Sequence, residues 1–281
     1  MSEMKGRIDF EVLVRVENSN PNGDPLEGNR CRTRTDGRGE ITDVCIKRKI
    51  RNRFQDMGEK IFVQADGRSD DGFRSLKERA DNCEELKVLM KGKGTDAGAY
   101  AKVACAKWLD VRAFGQVFAF KGSNVSVGVR GPVTVQTATS VSTVEVDTKQ
   151  ITRCTNAEAV EGIASDRMGT KHSIPFGLYV VRGSVCPYLA EKTGFSQEDA
   201  EVLKKALKTM FVGDASAARP AGSMTVKKVY WWEHKSKLPD VDPETVFDSV
   251  RIQPKVDIPN SFDDYEITLE TPEGCVEPEI L

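Results

Sequence analysis

The sequence predicts an α+β chain built on a ferredoxin-like antiparallel sheet, carrying a helical insertion and a projecting hairpin arm. Three observations predict it. Apolar residues recur with period two in the opening stretch and in several later ones, as in strands packed on a core. Two amphipathic helical stripes fall between those stretches, in the order strand, helix, strand, strand, helix, strand. Two polar inserts, residues 59–107 and 137–174, interrupt that order.

The first strand covers residues 7–17. Ile8, Phe10, Val12, Val14 and Val16 occupy one face, and Arg7, Asp9, Glu11, Arg15 and Glu17 the other, with Leu13 the exception. That alternation describes a sheet covered on one face. Asn18-Ser-Asn-Pro-Asn-Gly-Asp-Pro25, dense in turn formers, ends the strand. After a polar loop, Ile46, Ile50, Phe54 and Met57 recur at helical spacing over residues 42–58, and Lys47, Arg48 and Arg51 fall off that stripe, toward solvent or a ligand. A loop and a helix start rich in cations make an anion cradle.

Residues 59–107 read as a polar insertion with short helical pieces around residues 86–90 and 97–108. Strand signals return at Val117, Phe118 and Phe120, then at Val125, Val127, Val129, Val133 and Val135. Residues 137–174, rich in Thr, Ser, Asp and Lys, are expected to project as a hairpin arm or a long loop, and residues 175–185 resume a strand through Phe176, Leu178, Val180 and Val181. Ser196-Gln-Glu-Asp199 spells a capping box for a helix whose buried stripe is Val202, Leu203, Ala206, Leu207 and Met210, with Gly213 as its stop. A small-residue loop, 214–223, leads to a last strand through Val226, Tyr230 and Trp232.

The net charge of −2 conceals a partition. Residues 239–281 hold twelve acidic side chains against Arg251 and Lys255, a net of −10, which leaves +8 on residues 1–238. From residue 30 to residue 53, nine Lys/Arg face Asp36, Glu40 and Asp43, a net of +6 at one loop–helix junction. Such a body presents a positive surface to phosphates.

Several chemistries are excluded. Hydrophobic residues make up 39% and charged ones 30% of 281 residues, which suits a soluble globular chain rather than a disordered one. No apolar run reaches a membrane span, and residues 1–6 lack a signal-peptide core, so neither membrane nor secretion is expected. Seven cysteines without a Cys-x-x-Cys argue against a disulfide framework or zinc ribbon and suit a reducing cytosol. With only His172 and His234, no His-rich metal site is expected, and no cofactor motif appears. Asn18-x-Asn20-x-Asn22-Gly23 offers neutral ligands and ends on Asn29 where a calcium loop needs Glu. Lys91-Gly-Lys-Gly-Thr95 lacks the upstream glycine of a P-loop. A Cys–His pair (Cys154 or Cys186 with His172) stays open, while turn and cap duties account for Asp24, Asp36 and Asp43. Tyr230-Trp231-Trp232 offers base-stacking rings, at least half of which strand spacing turns toward the core.

Taken in order, several segments resemble one family: the opening strand with its Asn-rich turn, Arg30-x-Arg32-x-Arg34, and Thr42-Asp-Val-Cys-Ile-Lys-Arg-Lys-Ile-Arg51. Asp110-Val-Arg-Ala-Phe-Gly115, Gly128-Val-Arg-Gly-Pro-Val133 and Lys171-His-Ser-Ile-Pro-Phe-Gly-Leu-Tyr179 continue the match, over roughly residues 6–235. The family is the backbone subunit of type I CRISPR surveillance complexes (Cascade), most closely the type I-C version. The resemblance implies an RRM-like palm formed by residues 1–58, 108–138 and 175–238, helical fingers at 59–107, a thumb hairpin at 139–174 and an acidic extension at 239–281, all in one domain.

It further implies a cytoplasmic, non-catalytic scaffold that polymerises along a CRISPR guide RNA, joined by other copies of itself and other Cascade subunits, and presents the guide to target DNA. Asn20, Asn22 and Asp24 then lie beside the RNA backbone, Arg30, Arg32 and Arg34 line the same groove, and Lys47, Arg48 and Arg51 contact phosphates. Met168, flanked by Arg167, is the apolar wedge beside a displaced nucleotide, and Arg219 and Ser223 lie in a last loop near RNA. The acidic tail has no counterpart in that pattern. Packing on a neighbouring copy's basic flank, or opposing nonspecific RNA adsorption, are its expected roles. The rival readings are an endoribonuclease using Asp24 or Asp36 and a guide-independent RNA-binding module.

Overall fold

A computed structural model describes residues 2–90, 96–121, 125–152 and 168–281. Strand β1 (Ile8–Ser19) is the spine of the sheet and is followed by the short strands β2 (Gly23–Asp24), β3 (Arg30–Cys31) and β4 (Arg38–Ile41). Helix α1 (Asp43–Asp56) starts where Thr42 accepts a hydrogen bond from the Cys45 amide (3.3 Å). It buries Ile46, Ile50 and Phe54, the stripe read from the sequence.

The insertion holds α2 (Leu76–Asp81), α3 (Glu84–Met90), α4 (Ala97–Lys107) and α5 (Leu109–Phe114), then β5 (Gly115–Phe118) and β6 (Val127–Arg130). Strands β5 and β6 pair with each other, and Phe118 and Val127 pack with Phe62, Leu86, Tyr100 and Trp108 in a core of their own. The sequence pattern places these strands with the central sheet. Their apolar residues instead complete the insertion, whose helices are too short to enclose a core alone.

The chain returns through β7 (Val133–Val135) and β8 (Ala138–Thr143) and projects as β9 (Asp147–Thr152) against the first six residues of β10 (Met168–Val185). Strand β10 starts seven residues before the predicted strand, because residues 168–173 pair in an exposed hairpin with no apolar face to announce it. Pro175, which has no amide to donate, sits where the β1 register skips Asn18, itself at φ 48°. Next come α6 (Pro187–Thr193) and α7 (Gln197–Lys208), the latter with the predicted capping box between Ser196 and Asp199. Helix α7 ends at Lys208, and Gly213 closes the turn beyond it at φ 78°. Strand β11 (Met224–Glu233) completes the core.

Strand β1 lies between β10 and β11, all antiparallel, and β10 pairs on its other side with β7 and then β8. The order β11-β1-β10-β7, with α1 and α7 packed on one face, is the expected ferredoxin-like arrangement, extended by β4 beyond β8.

The C-terminal segment changes the sheet's other face. It forms α8 (Pro243–Asp248), β12 (Val250–Pro254), β13 (Tyr265–Leu269) and β14 (Glu279–Ile280), the last of which pairs with the edge of β11. Val246, Phe247, Val250 and Tyr265 pack on Leu13, Leu178, Tyr230 and Trp232. The tail is therefore bound to its own sheet, a packing that neither expected role, a neighbour's flank or opposition to nonspecific RNA adsorption, had included. Its twelve carboxylates mask the apolar residues spaced among them. The sheet is covered on both faces, not one.

Asp9 and Glu11 are consequently fully buried. Burial opposes ionisation of Asp9, but hydrogen bonds from His234 (2.9 Å) and Arg7 hold its carboxyl below the usual range. His234 in turn accepts the Asp240 amide (3.1 Å), which pins the start of the tail. Burial pushes Glu11 up to about 7 despite Arg182 at 2.7 Å.

Candidate nucleic-acid interface

Three loops meet beside the N-terminus of α1: the turn after β1, the 214–223 loop before β11 and the base of the β9–β10 hairpin. Asn20 is buried at their junction. Its amide donates to the Ala218 carbonyl (2.9 Å), its Nδ2 to the Asn29 carbonyl (2.7 Å), and Arg219 donates to its own carbonyl (3.3 Å). Its Oδ1 has no hydrogen-bond partner among the described residues. Ser223 repeats the pattern: its carbonyl accepts from the Glu17 amide (2.8 Å), while its buried Oγ is unpartnered. Buried polar atoms are rarely left unpaired, and two of them lie at this one junction.

The other residues of the loop divide by role. Asn22 Oδ1 accepts both the amide and the hydroxyl of Thr42 (2.9 Å each), which straps the turn onto the start of α1. Asp24 accepts the Leu26 amide (3.0 Å) and pairs with Arg32 (3.0 Å). Arg34 sits 3.8 Å from Asp36 and is half exposed. Arg30 donates to Thr148 Oγ1 (3.4 Å), which also contacts His172 Nδ1 (3.0 Å), so the loop reaches the hairpin. Lys47 is partly exposed and pairs with Asp43 one turn back (3.0 Å). Arg219 lies 3.5 Å from Asp214, which also holds the buried Lys49.

Arg48 and Arg51 are not brought to this junction. Arg51 Nε donates to Asp110 Oδ2 (3.0 Å), with its guanidinium 5.0 Å from the centre of the Phe114 ring. Asp110 is fully buried and also accepts the amides of Phe62 (2.7 Å) and Val63 (3.0 Å). Arg48 donates to the Val63 carbonyl (2.8 Å), and burial together with the nearby Arg51 lowers its pKa. These two arginines join α1 to the insertion. Helical spacing shows that they leave the apolar stripe, but not that another element packs there.

The hairpin carries cations that sequence reading passed over. Lys149 and Lys171 are directly opposite across β9 and β10, both exposed. Like charges in that position repel, which Lys149 relieves in part by pairing with Asp147 (3.1 Å). Only the strand register reveals the pair. Met168 begins β10 and is 66% exposed, with Ile151 exposed on the adjoining strand. Arg167 and Cys154 lie outside the described residues.

Among the described residues, the candidate side chains of the other chemistries have structural partners. Asp24, Asp36 and Asp43 serve a cap, a turn and a helix ion pair. Among the described residues, no group of three metal-ligating side chains forms. No helix among them is long and apolar enough to cross a membrane. Trp231 stacks on Phe10 in the helix-side core, while Tyr230 and Trp232 lie beneath the tail, so all three rings are buried.

The model of the family described as CRISPR-associated protein Cas7 matches residues 6–270. The chain belongs to the Cas7 family. The match runs into the acidic tail, through β13, beyond the span read from sequence motifs. A curated Cas7 relative from Haloferax volcanii is 30% identical over 220 residues, covering 70% of this chain and 62% of its own length. The chain thus spans less than two thirds of that relative. A solved structure described as a CRISPR RNA-guided surveillance complex, pre-nicking, superposes over 80% of this chain and 77% of the other, with a TM-score of 0.51 and 15% identity. At that identity the likeness is one of fold.

Proposed function

We propose that this Cas7-family chain is a non-catalytic scaffold that holds a CRISPR guide RNA by its sugar–phosphate backbone. Copies of it line up along the guide, with other Cascade subunits of a type I, I-C-like complex, and leave the bases free to pair with target DNA. The observation that carries this reading is the junction where Asn20 Oδ1 and Ser223 Oγ are buried without partners, beside Arg30, Arg32 and Arg219. A ribose 2′-hydroxyl both donates and accepts, and so matches an amide oxygen and a serine hydroxyl. Asn22 and Asp24 shape the turn, while Arg34 and Lys47 flank it.

A guide of any sequence needs contacts to phosphate and ribose rather than to base edges. In agreement, the sheet face on which an RRM stacks bases is covered here by the tail, and its aromatic rings are buried. Met168, with Arg167 before it in sequence, supplies an apolar wedge beside a displaced nucleotide. Its exposure on the hairpin supports that role.

The test is the salt dependence of RNA binding. Each phosphate contact removed flattens the slope of log affinity against log salt by about 0.7 for a single strand. Replacing Arg30, Arg32, Lys149 and Lys171 by alanine is expected to flatten it accordingly. An unchanged slope overturns the site. Incubation of the assembled complex with complementary RNA is expected to leave the RNA intact, whereas regularly spaced cuts would establish an endoribonuclease. RNA extracted from the purified complex is expected to have one discrete length, whereas a smear would indicate a module without a guide.

A further inference from the structure

The tail does not cover the whole open face of the sheet. Over β10, β8 and β4 it leaves a cleft of about 410 Å³, walled by β12. Its lining is mixed: Arg38, Arg182 and Thr139 are among its polar residues, and Val180, Val250 and Ile252 among its apolar ones. Arg182 is engaged by Glu11. The guanidinium of Arg38 makes no hydrogen bond or ion pair with the described residues and is exposed.

At the far end of the β12–β13 hairpin the reverse feature protrudes. Val256-Asp257-Ile258 forms its tip, with Ile258 82% and Val256 47% exposed. The Asp257 carboxylate has no partner among the described residues. The one cation of the tip, Lys255, is tied through its amide to the Asp264 carbonyl (2.8 Å) and acts electrostatically on the Asp264 carboxylate. An isoleucine that exposed, beside a free carboxylate, is complementary in chemistry to a cleft that offers apolar side chains and a free guanidinium.

Tip and cleft are separate patches of one surface. Ile252, in the cleft, and Ile258, at the tip, are six residues apart along the hairpin, which is up to about 20 Å of extended chain. A contact between two different patches, when it is not reciprocated across a two-fold axis, is head-to-tail and repeats as an open row where its rotation does not close a ring.

We propose that the Val256-Asp257-Ile258 tip of one copy seats in the Arg38 cleft of the next, with Ile258 against its apolar residues Val180, Val250 and Ile252 and Asp257 against Arg38. The proposal deepens the array described under Proposed function and takes its setting from that reading.

Sedimentation velocity of the full-length protein without RNA, over a concentration series, reads the contact alone. The parent is expected to self-associate as concentration rises. Ile258→Asp is expected to weaken that association by about 10- to 100-fold, the effect of withholding one buried isoleucine. Arg38→Asp and Asp257→Arg are each expected to weaken it, and the two together to restore it. A parent that stays monomeric throughout, singles that associate like the parent, or a double variant without recovery overturns the contact. Titration of an RNA long enough for one copy tests the proposed function separately. Ile258→Asp is expected to bind that RNA like the parent. If the parent fails to bind, the guide-RNA reading falls and the contact is still judged by sedimentation. If Arg38→Asp weakens one-copy RNA binding as strongly as it weakens self-association, a nucleic-acid strand occupies the cleft and the proposal is overturned.

Discussion

Replacing Arg51 by alanine separates a structural ion pair from an RNA contact. Arg51 is 13% exposed and its partner Asp110 is fully buried, held also by two backbone amides of the insertion. Without Arg51, Asp110 keeps those amides but loses its counter-charge in a site closed to water. Breaking a buried pair by removing one partner costs about 3–5 kcal/mol. Because Asp110 retains two hydrogen bonds, the lower figure, about 3 kcal/mol, is the appropriate one. For a chain of this size that lowers Tm by about 6–12 °C. Asp110→Asn in the Arg51→Ala background removes the stranded charge, and the double variant is expected to be less destabilised than the single effects added together. Calorimetry checks the stability and RNA titration at several salt concentrations checks the binding. The expected outcome is a lower Tm with an unchanged salt slope. An unaltered Tm, with a slope flatter by about 0.7, would show that Arg51 binds phosphate and would refute the structural assignment.

The covered sheet face makes two further predictions. Glu11 is raised by burial from 4.5 to about 7, so the folded state holds its proton more tightly than the unfolded one, and the stability this provides is present below pH 4.5 and lost as pH rises toward 7. Glu11→Gln keeps an acceptor for Arg182 and removes the titration. Its stability relative to the parent is expected to rise by up to about 3 kcal/mol between pH 5 and 8, measured by denaturant unfolding, and a pH-independent difference would contradict the burial of that carboxyl. Phe247→Ala deletes a ring that packs on Trp232 and under the Arg182 guanidinium, and is expected to cost about 3 kcal/mol and to loosen the tail, read as faster proteolysis of residues 239–281. Proteolysis at the parent's rate would mean that the tail is held elsewhere.

The cations of α1 show how far a sequence can be followed. Lys47, Arg48 and Arg51 look alike on a helical wheel, all off the stripe of Ile46, Ile50 and Phe54. Their fates differ because the insertion, distant in sequence, lays Asp110 and the Val63 carbonyl against one side of the helix. Lys49, also off that stripe, is buried against Asp214 from a loop 165 residues away. The packing of the tail is hidden in the sequence for a related reason: charge counted along the chain says nothing about which residues of a short amphipathic segment meet a sheet. Asn20 and Ser223 were singled out from sequence by resemblance, but that each leaves an acceptor unfilled is visible only once the two loops pack together.

Local chemistry sufficed wherever neighbours in sequence are neighbours in space. The spine strand, the Thr42 cap, the Ser196 capping box and the two helical stripes depend on hydrogen bonds and apolar spacing within a few residues, and the residue types alone determine them. The pairing of Lys149 with Lys171, the burial of Asp9 and Glu11, and the division of arginines between the loop junction and the insertion were decided by tertiary structure. They depend on charges and register brought together from distant parts of the chain, and Coulomb energy and desolvation act on that distance through space rather than on separation along the sequence.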